Sequence, residues 1–410
     1  MNKRLLLIII LIWFNLGGGN DACTSAIISG KATPDGRPIL WKHRDTESLS
    51  NQIVYFDQGK YDFLGVINSQ DMEHREVWMG SNETGFSIIN TASYNLDEED
   101  RYYDKMDQEG VFMKQALAEC SSLKEFEIFL NNTAGKRGVV ANFGVIDALG
   151  GAAYYETGPF TYTKYDVNDS LVAPEGYLIR TNYSLSGNSS EGYGFIRYQT
   201  MENSFFWARL EKKLSCSFIL NHATRCLKNS LLENDLLKNP LPEDTLARQW
   251  IPFYDYIVRS SSASSMIIQG VKGGQDPRLT TLWTIIGFQL TTVAFPLWVA
   301  AGPAQPQLLT ADNHHQSILN QASLKLKQKM FPLVKGSGPN YIDRSYIANQ
   351  QNSGIYQKIS RLEPIITEKT YQIQQLIEIK GFDAKLIQEH YRWCDDIIRV
   401  FYRDSLGIKM

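Results

Sequence analysis

The chain has 410 residues, a formal net charge of −3, 43% hydrophobic and 21% charged residues. This is the balance of an ordinary globular protein, long enough for one large core or two modest domains. The near-neutral charge gives no electrostatic case for nucleic acid or an acidic membrane surface, so a small or medium neutral substrate is expected.

The first 22 residues read as a secretory signal: Lys3 and Arg4, an apolar run from Leu5 to Phe14, then a Gly-rich polar exit ending at Ala22. The apolar run is shorter than the about 20 residues that span a bilayer. Cleavage after Ala22 would release a periplasmic or secreted protein with no integral membrane segment, beginning at Cys23. A lipid-anchored cysteine is the competing reading, but the large aliphatic residue it wants three positions earlier is Asn20 here. As a first residue Cys23 combines two chemical parts. Its thiol is a nucleophile, and its α-amine, with an ordinary pKa of about 7.7–8.0, can take the thiol proton near neutral pH.

From Cys23 two β-rich arms flank Pro34-Asp35-Gly36, which predicts a hairpin whose second arm returns Lys42-His43-Arg44-Asp45 beside Cys23. A cation there favours thiolate and a carboxylate holds an α-ammonium. Without the cysteine the same four residues would read as a solvated strand end. Val77 to Ala92 predicts a further hairpin arm in which Asn90 closes the strand. Between Asp107 and Asn132 the period becomes helical, and Ser122 with Glu125 resembles a capping box between two helices. Strands are predicted over Val139–Asp147, Gly150–Glu156 and Phe160–Tyr165, with Gly176–Tyr183 running into a Gly/Ser/Asn loop at Thr181-Asn182. Thr200–Cys226 is helical.

Arg259 precedes the run Ser260-Ser-Ser-Ala-Ser-Ser265, and two buried strands follow at Leu282–Phe288 and Thr292–Val299. Beyond residue 316 the sequence predicts amphipathic helices at Ile347–Leu362 and Lys369–Phe401. The other cysteines, Cys120, Cys216, Cys226 and Cys394, show no metal spacing, and neither metal nor cofactor is expected. Cys216 and Cys226 read equally as a disulfide of an exported protein or as two buried thiols.

Cys23-Thr24-Ser25, the hairpin, and a basic residue three positions before Asp45 resemble the N-terminal-nucleophile (Ntn) cysteine hydrolases, the group of choloylglycine hydrolase, penicillin V acylase and isopenicillin N acyltransferase. The resemblance covers roughly Cys23 to Val299. Where the family carries Gly-Arg-Asn-x-Asp, this chain has Trp41-Lys42-His43-Arg44-Asp45, so Lys42 stands in the arginine position and cannot form a bidentate fork. Thr181-Asn182 is similar to the family's Thr-Asn dipeptide, and Asn90 falls near its second oxyanion position. The family's arginine after the late serines is Met266 here.

The resemblance implies an α+β fold, a four-layer αββα sandwich, with residues 23–315 as the catalytic domain and residues 316–410 as a helical extension packing on it. It also implies hydrolysis of a non-peptide C–N amide in a small N-acyl substrate. In that reading Cys23 is the nucleophile, Asp45 and Lys42 shape its charge, and Asn182 and Asn90 stabilise the oxyanion. Arg197 and Arg259 are expected to contact substrate. An acyltransferase of the same family and a lipid-anchored ligand-binding protein are the alternatives, and a homo-oligomer is compatible with the long tail.

Overall fold

The computed structural model describes residues 22–96 and 107–410. The expected signal therefore lies, apart from Ala22, outside the described residues.

Two antiparallel sheets form the centre. The first has the order β10-β1-β2-β14-β15-β16, where β1 is Thr24–Ile28, β2 Ile39–Asp45, β10 Tyr177–Arg180, β14 Ser262–Gln269, β15 Thr281–Ile286 and β16 Phe295–Leu297. The second runs in chain order from β3 to β9. Its strands are β3 Asn51–Phe56, β4 Phe63–Asn68, β5 Met79–Asn82, β6 Ser87–Ala92, β7 Ala141–Ile146, β8 Ala152–Thr157 and β9 Tyr162–Asp166. Ladders of β11 (Lys228–Asn229) with β12 (Asn234–Asp235), and of β13 (Trp250–Pro252) with β17 (Tyr341–Asp343), decorate the periphery.

The sheets face each other through Ile27, Leu40, Met266 and Ile268 on one side and Leu64, Val66, Ile89 and Tyr154 on the other. Because side chains alternate along a strand, the neighbouring residues Ala26, Ile28, Ile39 and Trp41 point outward. They are covered by α3 (Phe195–Leu210), the single turn α4 (Cys216–Phe218) and a π-helical turn at Ile219–Ala223. The outer face of the second sheet, with Phe63, Ile88, Phe143 and Tyr155, is covered by α1 (Glu109–Glu119) and α2 (Leu123–Asn132). The layer order is helix, sheet, sheet, helix, as the resemblance implied. Sandwiched strands are buried on both faces, which is why they lack a polar stripe. Each fully buried large side chain among them contributes about 1.5–3 kcal/mol relative to exposure.

Local chemistry sets the element ends. The hydroxyl of Ser122 accepts the Glu125 N–H at 3.3 Å, but the Glu125 carboxylate reaches one residue further back, to Ser121 N–H at 2.7 Å. The expected capping box is thus displaced by one position on its return side. In the tail, the break comes later than the sequence predicts. Beyond α5 (Ile318–Met330), one helix, α6 (Ile355–Lys380), carries Pro364 in its interior. The chain turns at Gly381, whose φ is 87°, and α7 (Ala384–Leu406) starts on the Asp383 cap.

The tail shares the domain core: Ile359, Ile366, Ile398 and Tyr402 pack in one cluster with the inter-sheet residues. A buried pair fastens it, Arg225 Nη1 lying 2.8 Å from Glu363, whose other oxygen accepts the Ala294 N–H at 2.9 Å. Cys216 and Cys226 are both free and buried.

Candidate active site

Strand alternation sorts the residues at the open end of the hairpin into two groups. Thr24 pairs with His43, so Cys23 stands opposite Arg44 and Ala22 opposite Asp45. Cys23 shares the inner face with Ser25, whose hydroxyl bonds the Tyr154 hydroxyl of the second sheet at 2.8 Å. Lys42 and Arg44 alternate onto that face too. Lys42 Nζ donates to Asn90 Oδ1 at 2.5 Å and to the Trp78 carbonyl at 2.8 Å. Arg44 lies over the Trp78 ring at 4.6 Å and donates to Asn51 at 2.9 Å.

These groups floor a cleft of about 950 Å³ lined by Cys23, Lys42, Arg44, Asp45, Trp78 and Asn90, with Tyr94, Tyr193 and Glu109 on its walls. Tyr94 and Tyr193 meet edge to face at 5.2 Å. The loop bearing Tyr193 is pinned by Glu156, which pairs with Arg180 at 2.9 Å and accepts the N–H groups of Leu185 and Ser186. Burial pushes the Glu109 carboxyl up to about 7, against the Val140 N–H that it accepts.

Behind the Cys23 backbone sits the outward group. Asp45 is fully buried. It receives the Arg259 guanidinium, which also donates to the Ala22 carbonyl, and the Ser262 hydroxyl at 2.5 Å. Since the single Ser262 proton goes to Asp45, the Ser262 oxygen accepts from His43 Nε2 at 2.9 Å. Burial opposes ionisation of Asp45, yet the charges of Arg259, His43 and Arg197 hold its carboxyl well below the usual carboxylate range.

Arg197 is buried and lies against Cys23 from the other side, donating to the Cys23 carbonyl at 2.6 Å, to Thr24 Oγ1 at 2.8 Å and to Asn182 Oδ1 at 2.9 Å. Burial, then repulsion from Arg259, pulls its guanidinium down to about 9. Gly194 makes room for this arrangement. It starts α3 at φ 88°, and a Cβ there would collide with the Arg197 guanidinium.

All seven residues singled out in the sequence gather near the end of β1; Cys23, Lys42, Asp45 and Asn90 line the cleft, whereas Asn182, Arg197 and Arg259 do not. The Arg197 guanidinium donates to the Cys23 carbonyl, Thr24 and Asn182, and that of Arg259 meets Asp45 and the Ala22 carbonyl, an acceptor that cleavage after Ala22 would remove. Asn182 is also withdrawn, its Nδ2 donating to the Ala92 carbonyl at 3.1 Å while Arg197 holds its oxygen. Asn90 is the better placed amide. Lys42 can only donate, so it fixes the Asn90 oxygen and leaves the Nδ2 hydrogens on the opposite side of an amide that lines the cleft. Lys42 is correspondingly a support for Asn90.

Ser262, Trp78 and the tyrosine pair carry no signal that singled them out in the sequence, although the Ser260–Ser265 run marked the right segment. The remaining thiols are inert by burial, which pushes Cys226 up to about 11, Cys120 to about 12, and Cys216 and Cys394 upward too. A second groove of about 850 Å³, formed by α3, the π-helical turn and the β11–β12 ladder, includes Cys226 but none of the groups around Cys23.

No protein-family model and no curated protein matches the chain. Solved structures do. The Caenorhabditis elegans ortholog of N-acylethanolamine-hydrolyzing acid amidase is similar at 14% identity over 62% of this chain and 95% of that one, with a TM-score of 0.37. A variant of conjugated bile acid hydrolase from Clostridium perfringens is similar at 14% identity over 68% and 93%, TM-score 0.37. Penicillin V acylase from Agrobacterium tumefaciens is similar at 10% identity over 68% and 86%, TM-score 0.37.

Proposed function

We propose that this protein is an exported cysteine amidohydrolase that cleaves the C–N amide bond of a small N-acyl compound after removal of residues 1–22. The observation that carries the reading is the position of Cys23: first residue before β1, on the floor of the cleft that Asn90 also lines, with Asp45 held by Arg259 and Ser262 at the end of the neighbouring strand.

In this reading the Cys23 sulfur attacks the amide carbon while the freed α-amine takes the thiol proton. Asn90 Nδ2 donates to the oxyanion, its orientation fixed by Lys42. Collapse of the tetrahedral intermediate breaks the C–N bond, and the α-ammonium returns its proton to the leaving amine. Water then attacks the thioester with the same amine as base, releasing the acid and restoring the thiol. Asp45, held ionised, orients the ammonium form, while Arg197 fixes the Cys23 carbonyl so that sulfur and nitrogen keep one geometry through both steps.

The test is intact mass of the exported protein, run beside an assay for free amine released from a panel of N-acyl substrates. A chain beginning at Cys23 with no lipid, active as purified, inactive as Cys23→Ala and inactive with one extra residue before Cys23, is the expected result. Normal turnover by the extended chain would overturn the proposal, because an amide nitrogen has no basic lone pair.

A further inference from the structure

The tail contributes a charged residue to the back of this site. Lys327, on α5, is buried, and its ammonium donates to the Ser260 carbonyl at 2.5 Å while lying over the Phe288 ring at 5.1 Å. Ser260 belongs to the turn from Arg259 to Ser262, which closes on itself through Ser262 N–H to the Arg259 carbonyl at 3.0 Å and Arg259 N–H to Ser262 Oγ at 2.8 Å. The same turn supplies both groups that bind Asp45 from that side, and it is tied to β2 by Thr46 N–H on the Ser261 carbonyl at 2.9 Å. α5 is itself anchored near this end of the sheets, with Asn320 donating to the Leu49 carbonyl at 3.1 Å and Ser323 accepting the Phe288 N–H at 2.8 Å.

We infer that Lys327 is a positioning residue of the cysteine site, which holds the Arg259–Ser262 turn on Asp45 and adds a positive charge to the field at the Cys23 amine and thiol. The charged and titratable groups around that point are Lys42, His43, Arg44 and Asp45 from β2, Arg197 from α3, Arg259 from the turn and Lys327 from α5, with Asp107, Glu109 and Glu191 lining the cleft and Asp255 acting on Arg197. In this mixed field each added cation disfavours an ammonium and favours a thiolate, the two changes that a self-activating N-terminal cysteine needs. Burial, only partly offset by Asp45, pulls the Lys327 ammonium down to about 7, so its field acts below neutral pH. No packing requirement explains a cation in such a place, where a methionine would fill the same volume without desolvation cost.

The inference rests on the proposed N-terminal cysteine, but one arm of its test does not need amide turnover. The rate at which iodoacetamide alkylates Cys23 is followed by peptide mass from pH 5 to 9 for the processed protein and for Lys327→Gln, Lys327→Met and Lys327→Arg. Gln keeps a donor for the Ser260 carbonyl and loses the charge, Met loses both, and Arg keeps the charge. Between pH 5 and 7 the Gln and Met variants should alkylate roughly 3–10-fold more slowly, the midpoint moving up by about half a unit or more, with Arg returning toward wild type. Turnover should fall in the order wild type, Gln, Met on any amide the wild type accepts. An unshifted alkylation profile in Lys327→Gln overturns the electrostatic role even if stability or turnover drops. A shifted profile in a protein that hydrolyses no amide would instead retain Lys327 and remove the amidohydrolase reading.

Discussion

Asp45→Asn isolates the contribution of the buried carboxylate to both folding and chemistry. The native carboxylate is fully buried, it is met by the Arg259 guanidinium and Ser262 Oγ, and His43 Nε2 stands 3.5 Å away. Neutralising it leaves Arg259, only 16% exposed, and Arg197 without their common counter-charge. Removing one partner of a buried pair costs about 3–5 kcal/mol. With an unfolding entropy of about 2.1 cal/mol/K per residue, a chain of this size loses roughly 4–6 °C in Tm.

The pH dependence has a fixed sign. A carboxyl whose folded pKa is depressed contributes stability that is complete above its unfolded value of about 3.9 and is lost as pH falls through the folded value. Asp45 is shifted down, so the gap between wild type and Asp45→Asn should be constant from pH 7 to pH 5 and narrow only below about pH 4. Turnover should fall by about 10²-fold through misplacement of the amine, while Cys23 remains open to alkylation. The assays are thermal unfolding at several pH values and amine release. A variant within 1 °C of wild type at pH 7 and still fully active would refute the idea that Asp45 balances the cations behind Cys23.

The two asparagines should separate. Asn90→Ala should lower kcat by about 10²–10³-fold, as loss of an oxyanion donor does, and cost about 1–3 kcal/mol because the buried Lys42 ammonium loses an acceptor, whereas Asn182→Ala breaks buried bonds to Ala92 and Arg197 and should cost roughly 2–4 kcal/mol in urea unfolding with a smaller fall in kcat. A larger fall in kcat for Asn182→Ala than for Asn90→Ala would reverse that assignment. In the tail, burial and then Lys369 pull His390 down to about 4, and its Nε2 bonds Thr370 Oγ1 at 2.9 Å. An imidazole with a depressed folded pKa contributes stability that is present above about 6.5 and drains away as pH falls toward 4. Stability should therefore drop by about 2–3 kcal/mol across that window, and His390→Gln should abolish most of the slope; denaturant titrations at pH 7 and pH 4.5 measure it.

What the sequence determined by itself was local. Cys23-Thr24-Ser25 after an apolar leader, the hairpin returning Asp45, the helices either side of Ser122 and the strand at Thr181-Asn182 are all written in neighbouring residues, where periods of two and of 3.6, glycine and capping side chains act over a few positions. β3 and β4 escaped that reading, and the helix expected over Ile347–Leu362 instead starts at Ile355 and runs through Pro364 to Lys380, held by packing on the core.

Tertiary structure alone decided where the polar side chains go. Asp45 finds Arg259 and Ser262 because β2 pairs with β14 more than 200 residues later in the chain, Arg197 reaches Cys23 from α3, and Lys327 arrives from a tail that no motif connects to the site. No local signal encodes such pairings. A buried charge takes whichever partner the closed sheets bring within hydrogen-bonding distance, which is how Arg197 comes to lie on the Cys23 carbonyl and Arg259 on Asp45 rather than in the cleft lining.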